Sequence, residues 1–225
     1  MKPWKAFEIY AEEYDAWYDK YKPAYESELL ALKSFLPENL EKLEVLEIGV
    51  GTGRFAWSMG VGYGLDSSRP MTTFAKKRGI EVVQGVAESL PFKGQAFDLV
   101  LIVTALAFFN DQVQGLREAA RVLKPGGQLV TGILDRDSLL GQYYNLKKKE
   151  SKFSSDARFL SAVEVKEWLK DLGYENIETC QALFNKPEEI KEIEEIKQGT
   201  GEGLLAVISA WKPFHAKVGL RSEYR

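Results

Sequence analysis

One stretch narrows the possible folds more than any other: EVLEIGVGTGRFAWSMGVGYGLDSS, Glu44 to Ser68. An apolar run, Leu43 to Ile48, stops at Gly49, Gly51 and Gly53, and a second, Val61 to Leu65, ends in Asp66-Ser67-Ser68. Glycines at alternate positions let the chain turn with positive φ and leave no side chain between its backbone and a ligand. A strand, such a loop and a helix in succession begin a βαβ unit. In open α/β sheets, ligands sit beyond the carboxyl ends of the strands.

The alternation continues. Ile80 to Gln84, Phe97 to Val103 and Gln128 to Ile133 read as strands three to five. Pro70 to Arg78 and Asp111 to Leu123 have helical composition, and Lys124-Pro-Gly-Gly127 stops the second helix in a turn. After Asp135 a long polar, partly helical segment leads to a helix over Ser161 to Leu172. Two more strands follow, Ile177 to Leu183 and Leu204 to Ala210, expected as an antiparallel pair at the sheet edge. The Glu/Lys alternation near 188–197 predicts a solvated helix face. At 225 residues the chain suits one α/β domain with a single sheet.

Composition removes several classes. With 30 basic and 33 acidic residues the net charge is -3, which gives no general attraction to nucleic acid or to an anionic membrane. Cys180 and His215 are single residues of their kinds, so an internal disulfide and most zinc or iron sites are excluded and no metal is expected. The N-terminal stretch carries acids every few residues and lacks an unbroken apolar run, which argues against a secretory signal or membrane span and for a cytoplasmic protein.

The dinucleotide fingerprint G-x-G-x-x-G requires glycine where this chain has Arg54, which weakens a nicotinamide cofactor. Asp66 still follows the second strand, where a carboxylate grips a ribose diol. A cofactor with a ribose and no buried pyrophosphate satisfies both observations.

Four segments, VLEIGVGTGRF (45–55), GLDSS (64–68), GVAESLPFKGQAFDLVLIVTAL (85–106) and EAARVLKPGGQLV (118–130), resemble in order and spacing the class I S-adenosylmethionine-dependent methyltransferases, in particular the small-molecule branch that includes ubiquinone- and menaquinone-biosynthesis enzymes. The resemblance implies a Rossmann-like, seven-stranded, mostly parallel sheet with an antiparallel last strand, helices on both faces and an N-terminal helical lid. Residues 1–40 would form the lid, 41–135 the cofactor-binding half, and 136–225 the acceptor side with the last strands. It implies S-adenosylmethionine as cofactor, S-adenosylhomocysteine as product, and transfer of a methyl group to N, O, S or C of a small organic molecule by a monomer or homodimer. The rival is a protein that binds the cofactor without catalysis.

By the same resemblance Gly49, Val50, Gly51 and Gly53 lie against the methionine portion and ribose. Glu47 sits near the cofactor's ammonium, Asp66 and Ser67 at the ribose, and Met71 on the adenine. Ala87 and Glu88 belong to the adenine edge and Thr104 to the methyl's surroundings. The family's adenine-binding Asp is replaced by Val86, so that hydrogen bond is lost, moved to Glu88 or taken by backbone carbonyls. The path from Gly53 to Val61 holds only a turn or two of helix, leaving the pocket open there or covered by the N-terminal segment.

That segment spaces Phe7, Tyr10, Tyr14, Trp17, Tyr18 and Tyr21 by threes and fours, an aromatic stripe along one helix face. It either docks on the core or closes over the site. Tyr14, Trp17 and Tyr18, with Phe108 and Tyr143 opposite, are the acceptor-pocket and lid candidates. TALAFFN, Thr104 to Asn110, has no charged side chain and predicts an apolar acceptor pocket. No catalytic base stands out: Asp15, Asp19 and the tyrosines are conceivable, His215 is a weak candidate, and Cys180 reads as a core residue.

Overall fold

The computed structural model describes residues 5–214; His215 lies outside them. The described residues begin with three helices, α1 (Lys5–Ile9), α2 (Ala11–Lys20) and α3 (Lys22–Lys33). There follow β1 (Val45–Ile48), α4 (Arg54–Met59), β2 (Tyr63–Asp66), α5 (Arg69–Lys77), β3 (Glu81–Gln84), β4 (Phe97–Val103), α6 (Gln112–Val122), β5 (Leu123–Leu134), α7 (Leu139–Lys147), α8 (Ala162–Asp171), β6 (Glu175–Ala182), β7 (Lys197–Gln198) and β8 (Leu205–Trp211). The strands form one sheet in the order β3-β2-β1-β4-β5-β8-β6-β7. The β1 to β5 pairings are parallel, and β8 runs antiparallel to both β5 and β6. The sheet thus has eight strands where seven were expected, the extra one being the two-residue β7 that pairs with Cys180 and Gln181.

Side-chain alternation along the strands builds two cores. Leu99, Leu101 and Val103 of β4 face α3, α4 and α5, whereas Val100 and Ile102 face α6 and α8. A strand buried on both faces must be apolar throughout, which is why FDLVLIV carries a single charge. Local chemistry sets the helix starts. Ser68, Asp111, Ser138 and Ser161 each accept a hydrogen bond from the backbone N–H three residues on, opening α5, α6, α7 and α8. α4 is only six residues long because Gly53 and Gly60, both left-handed, bound it.

The expected helix near 188–197 is absent. After a turn at 187–189 the chain runs irregularly into β7, with Ile190 buried. The Glu194 carboxylate accepts from Phe184 N–H and Asn185 Nδ2, and Glu194 N–H donates to Ser27 Oγ. These tertiary hydrogen bonds replace the helical ladder that the charge pattern suggested. The aromatic stripe is likewise divided, since the helix breaks at Tyr10 and again at Tyr21. Cys180 is buried in β6, its thiol directed at Ala31 O.

Candidate functional site

A cleft of about 670 Å³, open to solvent, lies beyond the carboxyl ends of β1, β2 and β4. The glycine loop forms its floor for steric reasons. A Cβ on Gly49, at φ +76°, would stand 2.3 Å from Ala105 Cβ, and at Gly51 the nearest atom to such a carbon is Cε1 of Tyr14. Gly53 serves a different neighbour: its Cβ would meet Ile80 and Ala75 of α5, so the requirement there is helix packing. Val50 likewise points into the core, against Gly64. Neither Val50 nor Gly53 lines the cleft.

Asp66 closes β2 at its rim. One carboxylate oxygen accepts from Gly51 N–H at 2.9 Å and the other from Ser68 N–H at 2.8 Å. Each oxygen keeps lone pairs for a further donor. Burial raises its pKa against the lowering effect of those amides and of the Ser67 amide. Ser67, Met71, Val86, Ala87, Glu88 and Thr104 also line the cleft. Glu88 is already engaged: one oxygen accepts from the N–H groups of Asn110 (2.6 Å) and Asp111 (3.2 Å) and from Asn110 Nδ2 (3.4 Å).

Glu47 does not reach the main cleft. It faces a smaller cavity behind the glycine loop, lined also by Tyr14, Tyr18 and Arg54. It is 1 % exposed, and among the described residues its Oε2 has no hydrogen-bond partner. Burial pushes its pKa well above the usual carboxylate range. Tyr14 spans both spaces. Its oxygen accepts from Tyr18 O–H at 2.7 Å, and burial pushes the phenol up to about 12.

α2 covers the short path after Gly53. Arg54 holds Asp15 at 2.7 Å and Asp19 at 2.6 Å, and Arg78 adds a contact of 2.9 Å to Asp15. Burial raises the Asp15 pKa, but hydrogen bonds from Arg54 and Arg78 outweigh it and hold the carboxyl at about 2. Asp15 and Asp19 are therefore ion-pair partners of the loop helix rather than free bases.

Of the acceptor-side candidates, Tyr14 and Phe108 reach the cleft. Trp17 packs on Tyr18 and Tyr21, and Tyr18 turns inward to Tyr25 and Phe55. Tyr143 is corrected: 38 % exposed on α7, it stacks edge-on with Tyr144 beneath Lys147 and Lys186, away from the cleft. Sequence reasoning gave Phe7 and Asn110 only as members of the aromatic stripe and of TALAFFN, and gave Phe153 no site role. Phe7 lines the cleft and meets Tyr14, Phe108 and Phe153 with ring centroids 5.2, 4.9 and 5.7 Å away. Only the aromatic spacing hinted at Phe7; no local signal marks Phe153.

Among the described residues no group of three or more His, Cys, Asp or Glu is placed to hold a metal, and no helix is long and apolar enough to cross a membrane.

Residues 46–131 match the family described as "Methyltransferase domain". An uncharacterised protein of Methanocaldococcus jannaschii is 48% identical over 92% of this chain and 98% of its own length. A crystal structure from Thermotoga maritima, described as a SAM-dependent methyltransferase and possible histamine N-methyltransferase, is 42% identical. It superposes with a TM-score of 0.89, covering 93% of this chain and 99% of that one. A demethylmenaquinone methyltransferase of Chlorobaculum tepidum is 33% identical over 45% of this chain and 46% of its own. The chain belongs to the class I S-adenosylmethionine-dependent methyltransferases. It is an enzyme of that class, and its cofactor is S-adenosylmethionine.

Proposed function

We propose that this enzyme transfers the methyl group to a small organic molecule, holding the cofactor across the glycine loop with its ribose diol on Asp66. The observation that carries the reading is the Asp66 carboxylate, whose two oxygens are oriented by backbone amides at the glycine loop and at Ser68 and keep lone-pair capacity for a diol. The cavity that holds the orphaned Oε2 of Glu47 shares Gly49, Gly51 and Tyr14 with the cleft, and a cofactor ammonium at that boundary would satisfy the carboxyl and favour its ionised form. Met71, Val86, Ala87 and Phe109 supply apolar walls for an adenine ring. With Val86 in place of a carboxylate, the acceptor for the adenine amino group becomes Asn110. Its Nδ2 is turned to Glu88, which leaves Oδ1 free.

The bound cofactor supplies a methyl group on a positively charged sulfur, open to direct displacement by a lone pair of the acceptor. The protein's own contribution is to align the acceptor and exclude water, and held geometry of this kind lowers a barrier by roughly 7–11 kcal/mol in favourable cases. Tyr14, with its pKa pushed up to about 12, stays protonated at neutral pH and acts as a donor into the cleft rather than as a base.

Calorimetric titration with S-adenosylmethionine and S-adenosylhomocysteine, wild type against Asp66→Ala, tests the reading. Loss of charge-assisted hydrogen bonds worth about 1.5–3 kcal/mol predicts a drop in affinity of roughly ten- to a hundredfold. Equal affinity in the variant would remove Asp66 from the site.

A further inference from the structure

Beside the cofactor cleft lies a second, smaller chamber, partly open, with about 360 Å³ of empty space counting its open mouth, and Thr104 and Phe108 line both. Its other walls include Ile133 and Leu134 at the end of β5, together with Ser154 and Ala157 from the loop before α8.

Three features distinguish the chamber from a packing gap. Its loop wall is tied down at several points: Ala157 N–H donates to Ser154 O, Arg158 N–H donates across to Ala107 O, and Lys148 Nζ donates to Ala157 O. The residue at the junction, Thr104, is β-branched yet sits at φ +52°, with its N–H donating to Gly132 O at 2.8 Å. A β-branched side chain avoids that region unless the surroundings hold it there, and such residues gather at functional sites. Finally, among the described residues the chamber's lining contains no charged side chain, and its side-chain polar groups are the hydroxyls of Thr104 and Ser154.

We propose that this chamber takes the body of the methyl acceptor, a neutral and largely apolar small molecule whose nucleophilic N, O or S lies at the Thr104 end. The proposal rests on the reading that the main cleft holds the cofactor. In the transfer, the acceptor's lone pair forms the bond to the methyl carbon, the electron pair of the broken carbon–sulfur bond stays on sulfur, and the acceptor's N–H, O–H or S–H proton leaves to solvent. A cationic amine is disfavoured, because a buried charge needs a counter-charge that these walls do not offer. The chamber thus separates this chain's acceptor from histamine, the molecule in the description of its Thermotoga maritima relative.

The test uses the full chain saturated with S-adenosylhomocysteine, carbon-13 labelled at Ile, Leu and Ala methyls, and titrated with quinoline as a neutral probe and with histamine as a cationic one. Quinoline is expected to shift the Ile133, Leu134 and Ala157 methyls and to bind more tightly than histamine. Filling the chamber by Ala157→Phe should weaken quinoline by at least about tenfold, as overpacking a bounded site requires, while S-adenosylhomocysteine affinity stays within about twofold. Ala107→Leu fills it from a second lining position and gives the same readout if the first variant does not fold. Quinoline binding that ignores both variants, an absence of shifts, or tighter binding of histamine would overturn the proposal while leaving the cofactor site standing. Failure of wild type to bind S-adenosylhomocysteine would instead overturn the cofactor reading, and the chamber proposal with it.

Discussion

Glu28 and Glu47 are carboxyls that burial keeps protonated at pH values where an exposed glutamate is charged. Glu28, on α3, is pushed up to about 8 from an ordinary 4.5. Between those values the folded chain binds more protons than the unfolded one, so stability falls as pH rises through the window. Replacing the group by an amide removes the proton from the balance. Glu28→Gln should therefore flatten the decline in melting temperature between pH 5 and pH 8, with about 2–4 °C regained at the alkaline end for each kcal/mol recovered. An unchanged slope in the variant would assign the decline to Glu47 or to another group. At this scale the positions of Glu47, next to last in β1, and Asp66, last in β2, beside the glycine loop were legible, because the limits of both strands are visible in the sequence. It did not mark Glu28, which has the same composition cues as any helix-surface glutamate and is buried only because α3 turns it toward the sheet.

The arrangement of α2 against α4 and α5 was not legible in the sequence either. Asp15 and Asp19 stand four apart and share a helix face, a spacing equally suited to an acid–base pair or to a cation clamp. Arg54, the residue that spoils the dinucleotide fingerprint, settles the matter by pairing with both. We expect Arg54→Met to loosen this attachment, so that amide hydrogen exchange over residues 5–20 speeds up by at least about tenfold while β4 and β5 keep their protection, as local opening requires. Acid should act the same way. The Asp15 pKa is lowered to about 2 from an ordinary 3.8, so the stability it contributes is present above pH 3.8 and is lost as pH falls through 2. Exchange that spreads evenly over the whole chain in Arg54→Met would show that the ion pairs hold the entire domain and not this element.

For the molecule as a whole, the sheet is the stable frame and the cleft lies at its carboxyl edge. A ligand that binds only the folded chain stabilises it by about 2.7 kcal/mol when present at a hundred times its dissociation constant. For a chain of this size, S-adenosylhomocysteine at that ratio should raise the melting temperature by roughly 5–10 °C. Asp66→Ala should abolish the rise at the same ligand concentration, and a rise that persists in the variant would place the ligand elsewhere. What the sequence determined by itself was the strand alternation, the glycine loop and the acidic end of β2. Each is written in short-range terms: apolar runs, N-cap residues and positions where only glycine tolerates the backbone. The tertiary structure alone decided that Phe7 meets Phe108 at the cleft and Phe153 behind it, that Tyr143 faces outward, and that a second chamber opens beside Thr104. Those outcomes depend on how α1, α2 and the loop before α8 fold back across the sheet edge, and contacts between segments so distant in the chain leave no periodic trace in either one.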